Sequence, residues 1–350
     1  MRGATQNATP TRFSLPERLA DGDWLDAVLE IDGEAAPLRT TVTIERPRTA
    51  ITKNKSPDVP FDRSLNSYRG CEHGCIYCFA RPTHAFHDLS PGLDFESKLF
   101  AKPDAPRLLR AELSRPGYRA ATLAMGTNTD PYQPIEAEYG ITRGVLEVLL
   151  ETRHPVSITT KSDRVVRDLD LLVPLAELGL AAVVVSVTSL DPATSRTLEP
   201  RAPAARKRLA AIKALSEAGV TTFVAVAPII PAITDHEIEA IVGEAAEAGA
   251  RGGFFVPLRL PHEVAPLFRA WLEAHHPERA GKVMGLVQSM RGGRDNDPEW
   301  FTRMQGQGPY AELIRTRFNA ACRKHGLRRE SITLRDDLFR RPAGAQLSLL

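Results

Sequence analysis

Residues 69–84 read RGCEHGCIYCFARPTH and hold three of the four cysteines of the 350-residue chain. These cysteines, Cys71, Cys75 and Cys78, form a C-x3-C-x2-C array, which so few cysteines rarely form by chance. Spacings this short let a single loop wrap three sulfur atoms around a compact centre. The array therefore predicts a thiolate-bound metal centre on one loop.

Three thiolates leave two kinds of metal centre open. A structural zinc needs a fourth protein ligand, which His73, His84 or His87 would supply. A catalytic iron–sulfur cluster instead keeps one position open for a substrate or cofactor, and the spacing favours this cluster over zinc. A disulfide framework is disfavoured, because the fourth cysteine, Cys322, is distant in sequence.

An aromatic residue, Tyr77, directly precedes the third cysteine, and the loop thereby resembles the cluster loop of the radical S-adenosylmethionine (SAM) superfamily. Two further segments, DFESKLF at 94–100 and GTNTDPYQPIE at 126–136, extend the resemblance. Together they resemble bacterial radical SAM proteins related to spore photoproduct lyase. The resemblance spans about residues 60–260.

This resemblance implies a specific chemistry. The three cysteines would bind three irons of a [4Fe-4S] cluster, and the fourth iron would take the amino and carboxylate groups of SAM. Reductive cleavage of SAM would give methionine and a 5′-deoxyadenosyl radical, which abstracts hydrogen from a substrate. An electron donor such as flavodoxin or ferredoxin is implied. The lyase relatives use a further cysteine, but this chain has none between Cys78 and Cys322, so their reaction is not transferred.

Strands and helices alternate along the chain after residue 60. Apolar or β-branched runs predict strands at 120–125, 156–160, 181–187, 221–227 and 253–256, and amphipathic segments between them predict helices. Counting a strand before the cysteines, about six strand–helix units imply a parallel sheet with helices outside. The resemblance selects an α/β fold with an incomplete (β/α)6 barrel, an N-terminal extension and a C-terminal helical extension.

Several local features complete the predicted layout. We expect a loosely attached tail at 1–22, a short strand within 38–51, strands at 64–68 and 94–101, and a capping box at Thr234–Glu237. The predicted partition is a tail and short β segment at 1–59, a partial barrel at 60–260, a helical extension at 261–341 and a tail at 342–350.

Polar residues at the strand ends are the candidate SAM contacts, because active sites of such barrels lie at the carboxyl ends of the strands. The resemblance places Tyr77 and Ile230 beside the adenine, with Pro228, Ala232 and Asp235 standing where the superfamily has two glycines and a glutamate. The other candidate contacts are Gly126, Thr127, Asn128, Asp130, Lys161, Ser186, Thr188 and Arg201. For Ser186 and Thr188, tying down their own turns is an equal alternative. For Arg201, the equal alternative is an ordinary surface arginine that does not contact SAM.

Charge and the chain end bear on the substrate and partners. The net charge is +2, yet residues 291–350 hold twelve Lys and Arg against seven Asp and Glu. The terminal residues Gln346–Leu350, QLSLL, resemble peptides that dock on bacterial sliding clamps. These features favour DNA as substrate. One alternative is a radical enzyme that acts on protein, RNA or a small molecule, and another is a non-catalytic metal-binding scaffold. No long apolar run is present, so we expect a cytoplasmic protein without a membrane span.

Overall fold

The computed structural model describes residues 2–8, 39–329 and 332–342. Its strands are β1 (Thr41–Ile44), β2 (Thr52–Lys53), β3 (Arg63–Leu65), β4 (Tyr68–Arg69), β5 (Lys98–Ala101), β6 (Leu123–Met125), β7 (Val156–Thr160), β8 (Ala181–Ser186), β9 (Thr221–Ile229) and β10 (Gly252–Pro257). Its α-helices are α1 (Leu93–Ser97), α2 (Ala105–Leu113), α3 (Glu136–Tyr139), α4 (Ile141–Thr152), α5 (Leu169–Glu177), α6 (Pro192–Leu198), α7 (Ala205–Glu217), α8 (Ile238–Glu247), α9 (Val264–His275), α10 (Ala280–Ser289), α11 (Thr302–Gln305) and α12 (Gly308–His325). Short 3-10 helices cover Arg81–His87, Asp163–Asp168 and Asp235–Glu237.

The larger sheet has the strand order β10-β9-β8-β7-β6-β3-β2. The six strands from β3 to β10 in this sheet are parallel, and β2 adds antiparallel to β3 at one edge. Among the described residues, β2 and β10 do not pair with each other, so the sheet stays open. The predicted α/β fold with an incomplete six-unit barrel and terminal extensions is confirmed.

Burial explains why these segments become parallel strands. Every residue of β8, AAVVVS, is buried, as expected for a strand covered on both faces. Helix α4 turns one face toward the sheet, and the side chains of Ile141, Val145, Leu146 and Leu149 on this face are all buried in the main core. The carboxyl ends of the parallel strands consequently meet at one edge, next to the cysteine loop.

The predicted strand at 64–68 is confirmed at its start but wrong as one continuous strand, because the chain changes sheets there. Strand β3 belongs to the larger sheet, whereas β4 pairs antiparallel with β5 in a small sheet of order β1-β5-β4. Asn66 stands at the crossing, and its side-chain amide donates to the Thr127 hydroxyl at 3.1 Å. This contact, between residues 61 positions apart, ties the turn to the end of β6.

The predicted strand at 94–101 is also wrong in its first half. Residues Leu93–Ser97 form helix α1, and only Lys98–Ala101 continue as β5. The carboxylate of Glu96 is buried and accepts hydrogen bonds from the backbone N–H groups of Gly3 and Ala4, each at 2.8 Å. These partners lie more than 90 residues away in the sequence, so the local sequence of 94–101 does not indicate them.

The same contacts correct the predicted loose tail at 1–22 as far as the structure describes it. Residues 2–8 pack against the cysteine loop, and Ala4 is buried. A Cβ atom added to Gly3 would lie 1.6 Å from the carbonyl oxygen of Gly74, so the two backbones touch. The remainder of the predicted tail, 9–22, lies outside the described residues.

The predicted capping box at Thr234–Glu237 does not form. The Thr234 hydroxyl accepts a hydrogen bond from the Ile230 N–H at 2.9 Å. The Glu237 carboxylate instead accepts from the Ser189 hydroxyl at 2.7 Å and from the Leu190 N–H. Glu237 therefore braces the loop after β8, and α8 begins one residue later at Ile238.

The C-terminal extension packs on the barrel at the cysteine loop. Apolar residues of α9 and α10 share one buried core with Cys75, Ile76 and Tyr77. Arg303 in α11 donates to the Asp58 carboxylate from Nε and Nη2, both at 2.6 Å. The partition into segments remains a prediction, and Gln346–Leu350 lies outside the described residues. No helix among these residues has the length and apolarity needed to cross a membrane.

Candidate cofactor site

The cysteine loop puts three thiols in a shared electrostatic environment. Cys71 and Cys75 are buried and Cys78 is half-buried. Burial raises the pKa of all three thiols, to about 12 for Cys75. The negative charge of Asp130 and of the other two cysteines further raises the pKa of Cys71. Cys78 packs in one apolar cluster with Cys71 and in another with Cys75, so the three thiols lie close together.

Cations surround this loop and offset the charge that three thiolates would carry. The positive charges of Lys161 and Arg208 lower the pKa of Cys75, in opposition to the effect of burial. Arg81 and Lys161 lower the pKa of Cys78 in the same way. Within the described part of the chain, no three His, Cys, Asp or Glu side chains converge on one ion. In a cluster each cysteine binds its own iron, so its thiolates do not converge as they would around a single ion.

The three histidines proposed as zinc ligands have other neighbours. His73 is buried with Nδ1 3.4 Å from the Asp130 carboxylate. The Nε2 atom of His84 lies 2.8 Å from the Lys98 carbonyl oxygen, and the His87 ring packs on Phe100 with centroids 4.6 Å apart. None of these contacts forms a closed four-ligand set with the cysteines.

Arg81 fixes the shape of the cysteine loop. Its guanidinium is fully buried and pairs with Glu96 at 2.5 Å. It also donates to the carbonyl oxygens of Gly74, Cys75, Pro91 and Gly92 at 2.9–3.2 Å. Arg81 was not among the predicted site residues, and only its position three residues after Cys78 could have pointed to it.

The end of β6 approaches β7 so closely that it requires glycine. Gly126 has a φ of +83°, and a Cβ there would lie 2.0 Å from the Thr159 carbonyl oxygen. The Asn66 side chain holds this turn, donating to Thr127 and accepting from the Asn128 N–H at 3.0 Å. Glycine thus brings the GTNTD turn against the neighbouring strand end.

The carboxylate of Asp130 joins three parts of the site. It accepts from the Thr160 hydroxyl and the Lys161 N–H, both at 2.7 Å, and lies beside His73. Burial alone would raise the pKa of Asp130, but His73 and these hydrogen bonds lower it. Asp130 therefore links the cysteine loop to the end of β7.

Three predicted residues, Tyr77, Lys161 and Thr188, contact one residue that was not predicted, Glu199. The Lys161 ammonium lies 5.6 Å from the centre of the Tyr77 ring and donates to the Thr188 hydroxyl at 3.2 Å. The hydroxyl groups of Tyr77 and Thr188 both donate to Glu199. Glu199 was not predicted, even though it lies only two positions before the candidate residue Arg201. Its partners come from separate loops, so no local spacing reveals it.

Of the other candidates, Ser186 and Ile230 are buried at the ends of β8 and β9. Arg201 lies 3.0 Å from the Glu72 carboxylate, and its N–H donates to the His73 carbonyl at 3.2 Å. Ala232, in place of a family glycine, keeps a positive φ of +58°. In the same segment, Asp235 accepts a hydrogen bond from Tyr310.

An exposed aromatic surface adjoins the loop. Phe79 directly follows Cys78 and is 51% exposed, and the Arg259 guanidinium lies 5.8 Å from its ring centre. Arg259 also reaches Met304 of α11, with Nη1 3.1 Å from the sulfur. Trp300 and Phe301, next to α11, are more than half exposed, and Phe301 holds a φ of +68°.

Comparisons with known proteins agree with this architecture. The family model of the radical SAM superfamily matches residues 65–245. An uncharacterised protein of Mycobacterium tuberculosis is 39% identical over 240 residues, covering 67% of this chain and 71% of that protein. One of Methanocaldococcus jannaschii is 30% identical over 217 residues, covering 61% and 76%. A solved variant of spore photoproduct lyase aligns with a TM-score of 0.57 at 13% identity, over 87% of this chain and 91% of that one, and so shares the fold.

Proposed function

Because the chain belongs to the radical SAM superfamily, whose enzymes use a [4Fe-4S] cluster and SAM, we propose that Cys71, Cys75 and Cys78 bind that cluster. The observation that carries this assignment is the set of three buried or half-buried thiols on one loop among cationic side chains. When bound and reduced, the cluster would supply the one electron needed to cleave SAM to methionine and a 5′-deoxyadenosyl radical, and this radical would take a hydrogen atom from the substrate.

The chain's own residues would bind SAM and exclude water. Lys161 and Ser186 stand at neighbouring strand ends, where they suit the carboxylate and ribose hydroxyls of SAM. Ile230 is fully buried and suits an apolar face of the adenine. Thr188 and Tyr77 already hydrogen-bond to Glu199, so we assign them the task of holding the binding surface in shape.

Anaerobic purification tests the assignment. We expect a brown protein with about four irons that forms 5′-deoxyadenosine when dithionite and SAM are added. Replacement of Cys71, Cys75 and Cys78 by alanine should remove both the iron and this product, whereas Cys322→Ala should retain them. A colourless wild-type protein that keeps one zinc after reconstitution with iron and sulfide would overturn the assignment and favour a metal-binding scaffold.

For the substrate we propose nucleic acid, DNA above all, on the strength of the aromatic surface beside the loop. Aromatic rings with an adjacent arginine provide stacking faces for bases, and arginines contact phosphates. Phe79 and Arg259 form such a pair, and Trp300 and Phe301 add exposed rings near α11.

Binding of single-stranded and duplex DNA oligonucleotides at several salt concentrations tests this substrate class. We expect an affinity that falls with salt and that weakens in Phe79→Ala and Arg259→Gln. Leu313→Ala, which alters another half-exposed apolar side chain, should bind like wild type. Salt-independent or absent binding would point instead to a protein or small-molecule substrate.

The physiological partners remain sequence-based proposals. Radical SAM enzymes need an electron donor, and flavodoxin or ferredoxin would serve here. Docking of Gln346–Leu350 on the sliding clamp and a cytoplasmic location also stay predictions. Pull-down by the clamp of full-length protein, but not of protein lacking the last five residues, would support the docking peptide.

A further inference from the structure

Glu199 is a buried carboxylate with four donors. Only 2% of the residue is exposed. Besides Tyr77 and Thr188, the Lys161 ammonium lies 3.2 Å from Oε1, and the Arg208 guanidinium pairs with Oε2. Burial alone would raise the pKa of Glu199, but Arg208 and Lys161 hold it far below its usual range, so the group is charged.

The segment around Glu199 is bonded directly to the cysteine loop. The Ile76 N–H donates to the Leu198 carbonyl at 3.0 Å, and the Arg201 N–H donates to the His73 carbonyl at 3.2 Å. These two backbone bonds bracket Glu199 and fix its carboxylate relative to Cys75. The negative charge of Glu199 raises the pKa of the Cys75 thiol, whereas the positive charges of Lys161 and Arg208 lower it.

We propose that Glu199 is a positioning residue that holds Tyr77 and Lys161 in place and lowers the reduction potential of the cluster. The proposal rests on cluster binding by the three cysteines. Cluster potentials depend on nearby charge, and charges interact strongly in a buried site. A fixed negative charge beside Cys75 opposes the added electron, whereas Arg208 and Lys161 favour it.

Potentiometric titration of the anaerobic, cluster-loaded protein without SAM, followed by electron paramagnetic resonance, tests the proposal. In Glu199→Gln we expect the one-electron reduction equilibrium to shift about tenfold toward the reduced cluster, equivalent to about +59 mV. Arg208→Gln should shift it in the opposite direction, and the double variant should return near wild type. Glu237→Gln, which alters another buried carboxylate bracing a nearby loop, should leave the potential unchanged.

The opposite signs separate charge from general loosening of the loop. Disruption of structure alone would move the Glu199 and Arg208 variants in the same direction, and that result would overturn the proposal, as would an unchanged potential in Glu199→Gln. If Glu199→Gln alone does not load a cluster, the comparison of Arg208→Gln with the double variant decides the matter, because loss of the Glu199 charge must raise the potential in that background as well. If the wild-type protein binds no iron, metal analysis before the titration reveals it, and that result would overturn the cluster assignment itself.

Discussion

Arg81 and Glu96 form a buried ion pair whose arginine also saturates carbonyl groups of the cysteine loop. Removing one partner of a buried pair leaves an uncompensated charge and unpaired oxygens, at a cost of about 3–5 kcal/mol. We therefore expect Arg81→Met to lower the free energy of unfolding by this amount in chemical denaturation. Arg107→Met, which removes a mostly exposed pair with Asp104, should change it by less than about 1 kcal/mol. Equal effects of the two substitutions would contradict this view.

Gly126 combines a left-handed backbone with contact between neighbouring strand ends. Alanine in that backbone region costs about 1–2 kcal/mol, and overpacking against Thr159 should add about 1–3 kcal/mol. Gly219 is the matched control, because its φ is +86° and nothing lies within 4 Å of an added Cβ. Denaturation should show Gly126→Ala to be clearly less stable than Gly219→Ala; similar losses would mean that backbone strain alone matters.

At the scale of elements, the sequence predicts those segments whose burial is set by their own periodicity. The run AAVVVS is recognisably a fully buried strand, and the cysteine spacing is recognisable without any fold. The failures at 94–101 and 234–237 share another cause, because Glu96 and Glu237 are held by groups 93 and 48 residues away. Glu199 was not predicted for a similar reason, since its donors come from the cysteine loop, from the ends of two strands and from helix α7.

His154 lies two residues before β7, where its Nδ1 donates to the Pro155 carbonyl at 3.0 Å and its Nε2 lies 2.8 Å from the Tyr118 hydroxyl. Burial and, to a smaller extent, the positive charge of Arg63 lower the pKa of His154 to about 4, although the hydrogen bond to Pro155 acts in the opposite direction. Between pH 6.5 and 4 the imidazole of His154 is protonated in the unfolded chain but neutral in the folded one. The free energy of unfolding therefore falls as the pH falls through this window.

We therefore expect His154→Phe to remove a pH-dependent loss of up to about 3 kcal/mol. Denaturation midpoints of wild type and variant at pH 7 and at pH 4.5 measure it. His236→Phe, which replaces a largely exposed imidazole, should keep the wild-type pH dependence. Parallel pH profiles for wild type and His154→Phe would show that other groups cause the loss.

At the scale of the whole molecule, the N-terminal residues cover the cysteine loop. A Cβ at position 3 would collide with the Gly74 carbonyl, so Gly3→Ala should displace this segment and remove two N–H donors from Glu96. We expect the same initial iron content but faster loss of the visible cluster absorbance in air. The exposed Thr5 offers a control, since Thr5→Ala should decay like wild type. Identical rates for all three proteins would show that the segment does not shield the loop.

The pairing of Asp58 with Arg303 joins residues 245 positions apart. When the ribosome has released Asp58 and all the barrel strands, the arginine that anchors α11 has still to be translated. Contacts between such distant positions form late, after local and intermediate ones. The aromatic surface beside the cysteine loop is consequently completed only near the end of synthesis, and a premature stop codon between β10 and Trp300 would yield all the barrel strands and Phe79 but neither Trp300 nor Phe301.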